Sequence, residues 1–210
     1  LHRRVSGDLH VLPAQVETRH MNLQALKDEL RRRALVARRI AHEAAPDAGE
    51  RLAAHFPFEL LAPGAVVSGY WPLPGEIDPR PLMAALVARG ACLALPVVDR
   101  PGQPLKFREW RDDDPLQRRA FGLMEPLENA PELVPDILLV PLLAIDADGN
   151  RLGFGKGYYD RTLAALRAHG APVAVGLAYE AQIVPAVPVD VFDQPLDRVV
   201  TEVRARILLV

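Results

Sequence analysis

The sequence predicts an α/β fold: a single three-layer domain, Rossmann-like, with a largely parallel central sheet flanked by helices. Three observations carry this expectation. Strand-like and helical segments alternate from about residue 65 onward. The run Ile137-Leu138-Leu139-Val140-Pro141-Leu142-Leu143 is apolar throughout, as a strand buried on both faces requires. Half of the 210 residues are hydrophobic and a quarter are charged, which is ordinary globular composition with enough apolar mass for one core.

The elements follow in order. Residues 1–20 are polar and basic at the start and lack helical periodicity, so they are expected to form a disordered extension before a folded unit over residues 21–210. Leu23, Leu26, Leu30, Ala34 and Ala37 recur at steps of three and four, which predicts one long helix from Leu23 to Ala45. Pro46-Asp47 ends it and caps a second helix reaching about Leu61. Ala65–Tyr70 reads as a short strand. Asp78-Pro79 opens a helix through Val87 that stops at Gly90, with Asp78 as its cap. Strands are expected at Ala91–Val98, Leu105–Trp110 and Asp136–Ile145, a helix at Tyr158–Ala168, and strands at Pro172–Ala178 and Val199–Val203. The 20 prolines fall mostly between these segments and read as loop stiffeners.

Composition excludes several classes of function. A net charge of −2 provides no global basic field for nucleic acid or acidic membranes. No apolar stretch approaches the ~20 residues needed to span a bilayer. The single cysteine, Cys92, permits no internal disulfide, which points to a reducing, cytoplasmic setting, and its apolar surroundings suggest a small buried side chain. The histidines form no metal-binding spacing, and Ser68 lacks the glycines of a nucleophile elbow.

The chemistry concentrates in Asp146-Ala147-Asp148-Gly149-Asn150-Arg151-Leu152-Gly153-Phe154-Gly155-Lys156-Gly157-Tyr158-Tyr159-Asp160, between the buried strand and a helix. Gly153, Gly155 and Gly157 alternate, leaving backbone N–H groups open to an anion. The next helix adds its positive end. Arg151 and Lys156 add cations, and Asp160 adds a carboxylate suited to Mg²⁺ beside phosphates. This suits a nucleoside triphosphate, although the spacing is neither a Walker loop nor a dinucleotide fingerprint. Lys27 and Arg31, four apart, point from one helix face, while Arg32, Arg33, Arg38 and Arg39 read as a solvated basic face. The loop Tyr70-Trp71-Pro72-Leu73-Pro74-Gly75-Glu76 offers aromatic walls and a carboxylate to a flat heterocycle. Asp190, Asp193 and Asp197 cluster near the end; Asp190 reads as solvent-exposed and Asp197 as structural.

The loop Asn150-Arg151-Leu152-Gly153-x-Gly155-Lys156-Gly157-Tyr158-Tyr159-Asp160 resembles the signature of the 5-formyltetrahydrofolate cyclo-ligase family, whose members are also called methenyltetrahydrofolate synthetases. Similar blocks stand in order along residues 22–203: Lys27-x-x-x-Arg31, Gly69-Tyr70-Trp71 with Glu76-Ile77-Asp78, Leu95-Pro96-Val97-Val98, Gly122-x-x-Glu125-Pro126, and Asp136. The resemblance implies ATP as co-substrate, bound by Lys27, Arg31, Arg151, Leu152, Gly153, Phe154, Gly155, Lys156, Gly157, Tyr158 and Tyr159. It implies reduced folate at Trp71, Glu76, Phe154, Gly155, Lys156, Gly157 and Tyr158. Arg151 and Lys156 would be catalytic, with Mg²⁺ held by Asp160 and Asp193. Phe154 departs from relatives that carry Arg at that position, removing a charge.

The activity so implied is ATP- and Mg²⁺-dependent closure of 5-formyltetrahydrofolate to 5,10-methenyltetrahydrofolate through a phosphorylated formyl group. The expected partners are small molecules only, without nucleic acid or membrane, acting on a monomer. Two other readings stand beside it: a kinase-like ATP user acting on another heterocycle, and a non-catalytic module that binds nucleotide or RNA.

Overall fold

The structure is a computed structural model and describes residues 13–208; residues 1–12, most of the expected N-terminal extension, lie outside the described residues. Helix α1 spans Pro13–Ala44 and so begins earlier than the apolar periodicity, with a proline at its start. Backbone helix needs no apolar stripe, which is why periodicity alone placed the start too late. Helix α2 is Ala48–His55, shorter than expected. Pro57 forces Phe56 into an extended conformation, and a 3-10 turn over Phe58–Leu60 completes the segment.

Strands β1 (Val66–Ser68), β2 (Cys92–Val97), β3 (Lys106–Glu109), β6 (Ile137–Pro141), β9 (Val173–Leu177), β10 (Arg198–Val200) and β11 (Ala205–Ile207) build one sheet. Its order is β11-β10-β9-β6-β1-β2-β3. The inner pairings are parallel, and only the edge strands β3 and β11 run antiparallel. Helices α3 (Arg80–Val87) and α4 (Tyr158–Arg167) supply crossovers. The α/β sheet expected from the sequence is present, and both edges close with hairpin-like strands rather than further parallel ones.

Alternation along β6 divides the core. Ile137 and Leu139 face the layer containing Leu52 of α2, Phe56 just after it, and Leu82, Met83 and Leu86 of α3. Leu138 and Val140 face Leu163 of α4, with Leu142, Ile145 and Leu196. A third cluster seats Leu30 and Ala34 of α1 on Leu143, Ala144, Leu152 and Val187.

The long strand expected over Asp136–Ile145 breaks after Pro141, which has no N–H for the ladder. The chain restarts as β7 (Ala144–Ile145), which pairs antiparallel with β8 (Arg151–Leu152). Gln182 fills the break: its Nε2 donates to the carbonyls of Leu142 at 2.7 Å and Leu143 at 3.1 Å. Between β7 and β8, buried Asp146 accepts the N–H groups of Asp148, Asn150 and Val187 and the Asn150 side chain. Asp146 therefore shapes a turn and is not offered to a ligand. A further hairpin, β4 (Leu116–Arg118) with β5 (Met124–Pro126), was not legible as strands.

Two smaller expectations are corrected. Cys92 opens β2 at the surface and is exposed. The capping position before α3 is Pro79, not Asp78; Asp78 instead accepts the Arg80 N–H and pairs with the Arg80 guanidinium.

Gly149 in the β7–β8 turn has φ of +80°, and a Cβ there would strike the Leu196 backbone carbonyl. Gly64 has φ of +73° but open space around it. Gly149→Ala is expected to destabilise by about 2–4 kcal/mol and Gly64→Ala by about 1 kcal/mol, as clash adds to left-handed strain. Urea denaturation checks this, and equal midpoints for the two variants would refute the clash.

Candidate active site

Strand order reverses between β1 and β6, since the chain proceeds to β2 on one side and to β9 and β10 on the other. Such switch points open a crevice beyond the carboxyl ends of parallel strands. A cleft of about 1800 Å³ lies there, walled by Tyr70, Trp71, Val97, Pro141 and the loop Arg151–Asp160. Every residue expected to bind or act from sequence lines it: Lys27, Arg31, Trp71, Glu76, residues 151–160 and Asp193.

Helix α1 closes one side. Lys27 is 7% exposed, and its Nζ donates to Asp190 Oδ2 at 3.0 Å and Asp193 Oδ2 at 2.5 Å. Burial opposes its charge, but the hydrogen bonds and charges of Asp193 and Asp190 outweigh this, and its pKa rises above the usual lysine value. Asp190 is thus a half-buried partner of α1 rather than a free surface acid. Arg31 Nε donates to the Gly153 carbonyl at 3.0 Å, tying α1 to the glycine loop.

That loop runs from β8 into the first turn of α4. Gly155 and Gly157 hold φ of +86° and +64°, and Gly157 sits immediately before α4. A Cβ on Gly155 would lie 3.1 Å from the Arg31 guanidinium, so glycine serves both backbone and packing here. Arg151 is buried, and its Nη2 donates to both oxygens of Asp160 at 3.1 Å. Its Nε is buried without a partner. Lys156 is exposed, and among the described residues its ammonium has no carboxylate partner. Phe154 is half-exposed at the rim.

Asp160 also accepts the Gln194 N–H at 3.3 Å, so the segment carrying Asp193 abuts the first turn of α4. Among the described residues, no group of three or more His, Cys, Asp or Glu gathers as a ready cation cage. Two cleft-facing carboxylates, each held by a cation, remain compatible with Mg²⁺, which takes one or two carboxylates and fills its octahedron with phosphate and water oxygens. Asp197 lies apart, accepting the Ala174 N–H at 2.7 Å and pairing with Arg167, as a structural acid should.

On the opposite wall, Trp71 meets Trp110 edge to face at 5.9 Å, with Arg80 over its ring. Glu76 is 7% exposed, and its Oε2 accepts the Leu73 N–H at 2.8 Å. Burial raises its pKa, offset in part by that N–H and by Arg38. Arg38, read from sequence as part of a solvated basic face, is in fact buried. A signal existed: Lys27, Arg31, Ala34 and Arg38 follow four-three-four spacing, and eleven residues make about three helical turns, placing Arg38 on the stripe of Lys27.

A doubly wound α/β domain with cations, carboxylates and aromatic rings around a switch-point cleft defines an α/β enzyme of the small-molecule-binding type. The model of the 5-formyltetrahydrofolate cyclo-ligase family matches residues 23–202, and the chain belongs to that family. The 5-formyltetrahydrofolate cyclo-ligase of Mycolicibacterium smegmatis is 32% identical over 87% of this chain and 97% of its own length. That of Haemophilus influenzae is 37% identical over 60% of this chain and 70% of its own. The solved structure of Aquifex aeolicus 5,10-methenyltetrahydrofolate synthetase superposes with a TM-score of 0.70 at 33% identity, covering 87% of this chain and 93% of that one. No helix among the described residues is long and apolar enough to cross a membrane.

The Lys27 cluster carries a pH signature. Burial raises the Asp190 pKa, but the Phe192 N–H and Lys27 lower it further, for a net depression. A depressed folded pKa contributes stability above the ordinary carboxylate value, and this is lost as pH falls through the folded value. Asp190→Asn is therefore expected to flatten the fall in melting temperature as pH drops below about 5. A variant curve parallel to the parent's would show that the pair contributes nothing to acid stability.

Proposed function

We propose that this chain converts 5-formyltetrahydrofolate and ATP to 5,10-methenyltetrahydrofolate, ADP and phosphate. The observation that best supports this reading is the convergence, on one cleft, of the glycine loop with Lys27 and Arg31 and of the Trp71–Glu76 wall, in a chain of this family. One half of the cleft has cations and free backbone suited to a triphosphate. The other has aromatic surface and a carboxylate suited to a pterin.

In the proposed reaction the formyl oxygen attacks the γ-phosphorus and ADP leaves. The neighbouring folate nitrogen then attacks the one-carbon centre and gives up its proton. The C–O bond breaks, and phosphate departs with the former formyl oxygen. A poor leaving group has become a good one. No protein nucleophile takes part, so the side chains position the reactants and neutralise charge.

Arg151, fixed by Asp160, and the exposed Lys156 would face the phosphates, with Lys27 and Arg31 supporting from α1. Trp71, Tyr158 and Glu76 would hold the folate. Bound Mg²⁺, held by Asp160 and Asp193, would supply further neutralisation of phosphate charge.

The direct test follows product absorbance with and without ATP and with and without Mg²⁺; absence of product with all components present refutes the reading. Lys156→Ala is expected to lower kcat/KM for ATP by ~10²-fold, the scale of one charge-assisted contact in a phosphate site. Unchanged ATP kinetics would place Lys156 in solvent. Asp160→Asn and Asp193→Asn should each raise the Mg²⁺ concentration for half-maximal rate by ~10-fold, and the double variant should fall short of the summed effect because both act on one ion. If Asp193→Asn leaves the titration unmoved, the two-carboxylate site is wrong.

A further inference from the structure

Arg38 has no role in the reaction as described, yet its placement is unusual for an arginine on a helix face. It is 6% exposed, and it does not line the cleft, although Glu76 beside it does. Nη1 lies 3.6 Å from Glu76 Oε1, Nη2 reaches the Pro74 carbonyl at 3.5 Å, and Cζ lies 5.5 Å from the centre of the Phe154 ring. Nη1 is buried and lacks a hydrogen-bond partner. A buried donor left unmade is costly, so something must favour keeping this charge here.

The two oxygens of Glu76 differ. Oε2 is fixed by the Leu73 N–H at 2.8 Å. Oε1 has only the longer ionic contact to Arg38, so it is the oxygen left to meet a ligand in the cleft. We propose that Arg38 is a positioning residue for the folate half of the site: its guanidinium, 3.6 Å from Glu76 Oε1, fixes the orientation in which that carboxylate meets a ligand. This rests on the reading of Glu76 as a folate contact. Arg38 also stacks against Phe154, so a cation reaches that part of the glycine loop from α1.

The titratable groups that face Glu76 are Arg38 from α1, Tyr70 after β1, and Tyr159 from α4. Burial holds both phenols above their ordinary range, so they stay neutral near neutral pH. Among the described residues Arg38 is then the one charge that opposes protonation of Glu76. Because burial already raises the Glu76 pKa, removal of Arg38 should raise it further and narrow the pH range in which the carboxylate is available.

The test measures steady-state kinetics for both substrates against pH in Arg38→Met, Arg38→Lys and Glu76→Gln. Arg38→Met is expected to raise KM for the folate by ~10-fold with KM for ATP changed less than ~2-fold, the scale of one lost charge-assisted orientation. Its acid limb in kcat/KM for the folate should move up by about one pH unit. Arg38→Lys restores the charge without the fork, so its acid limb should return to the parent position while KM for the folate stays about 3-fold raised. An unmoved acid limb in Arg38→Met, or equal rises in both KM values, would reduce Arg38 to a structural residue and overturn the proposal. If Arg38→Met does not fold, an Arg38→Lys protein with unchanged KM for the folate overturns it equally. Glu76→Gln separates the two readings: if it leaves KM for the folate and the acid limb untouched, the assignment of Glu76 to the folate fails, whatever Arg38 does.

Discussion

Helix α1 carries two cations, Lys27 and Arg31, into the wall of the cleft and a third, Arg38, against the Pro74–Glu76 loop, and each must find oxygen there. Burying an unpaired charge costs several kcal/mol, and breaking a buried pair by removing one partner commonly costs about 3–5 kcal/mol. Lys27 therefore binds the Asp190–Asp193 segment, Arg31 the Gly153 carbonyl, and Arg38 the Pro74–Glu76 loop. Three segments far apart in sequence are held by one helix. Without those ties the cleft would lose its walls.

The sheet contributes the other half of the arrangement. Reversal of strand order between β1 and β6 leaves the loops after those strands with no crossover helix filling the space between them. The break at Pro141 then turns the chain out of the sheet into the β7–β8 hairpin, which aims the glycine loop across the crevice toward α1. Asp146, Gln182 and Gly149 are structural for that reason. They satisfy the backbone where the strand stops, and leave Arg151 and the residues after it free to face the cleft.

Charge balance inside the cleft bears on function. Lys27 and Arg151 are neutralised by Asp193 and Asp160, while Lys156 is not. An arriving triphosphate would compete with those carboxylates for the cations, and a divalent ion would relieve the carboxylates so released. In the proposed reaction the same pairs would thus influence how much ligand charge the site accepts.

By itself the sequence determined the α/β class, because alternating periodicity and one apolar run admit few other arrangements. The glycine spacing with Arg151, Lys156 and Asp160 was a local pattern with local meaning, whereas Lys27, Arg31, Trp71 and Glu76 were assigned through the family resemblance; all of them line the cleft. What only the tertiary structure decided were the pairings between distant segments. Asp190 looked like a surface acid and Arg38 like one of several solvated arginines, since charge runs usually face water. Their burial depends on where α1 lands, and that is set by Leu30 and Ala34 packing on the β7–β8 hairpin, a contact between residues more than a hundred positions apart. Helical spacing placed Arg38 on the stripe of Lys27, but no pattern within α1 could name Glu76 as what that stripe would meet.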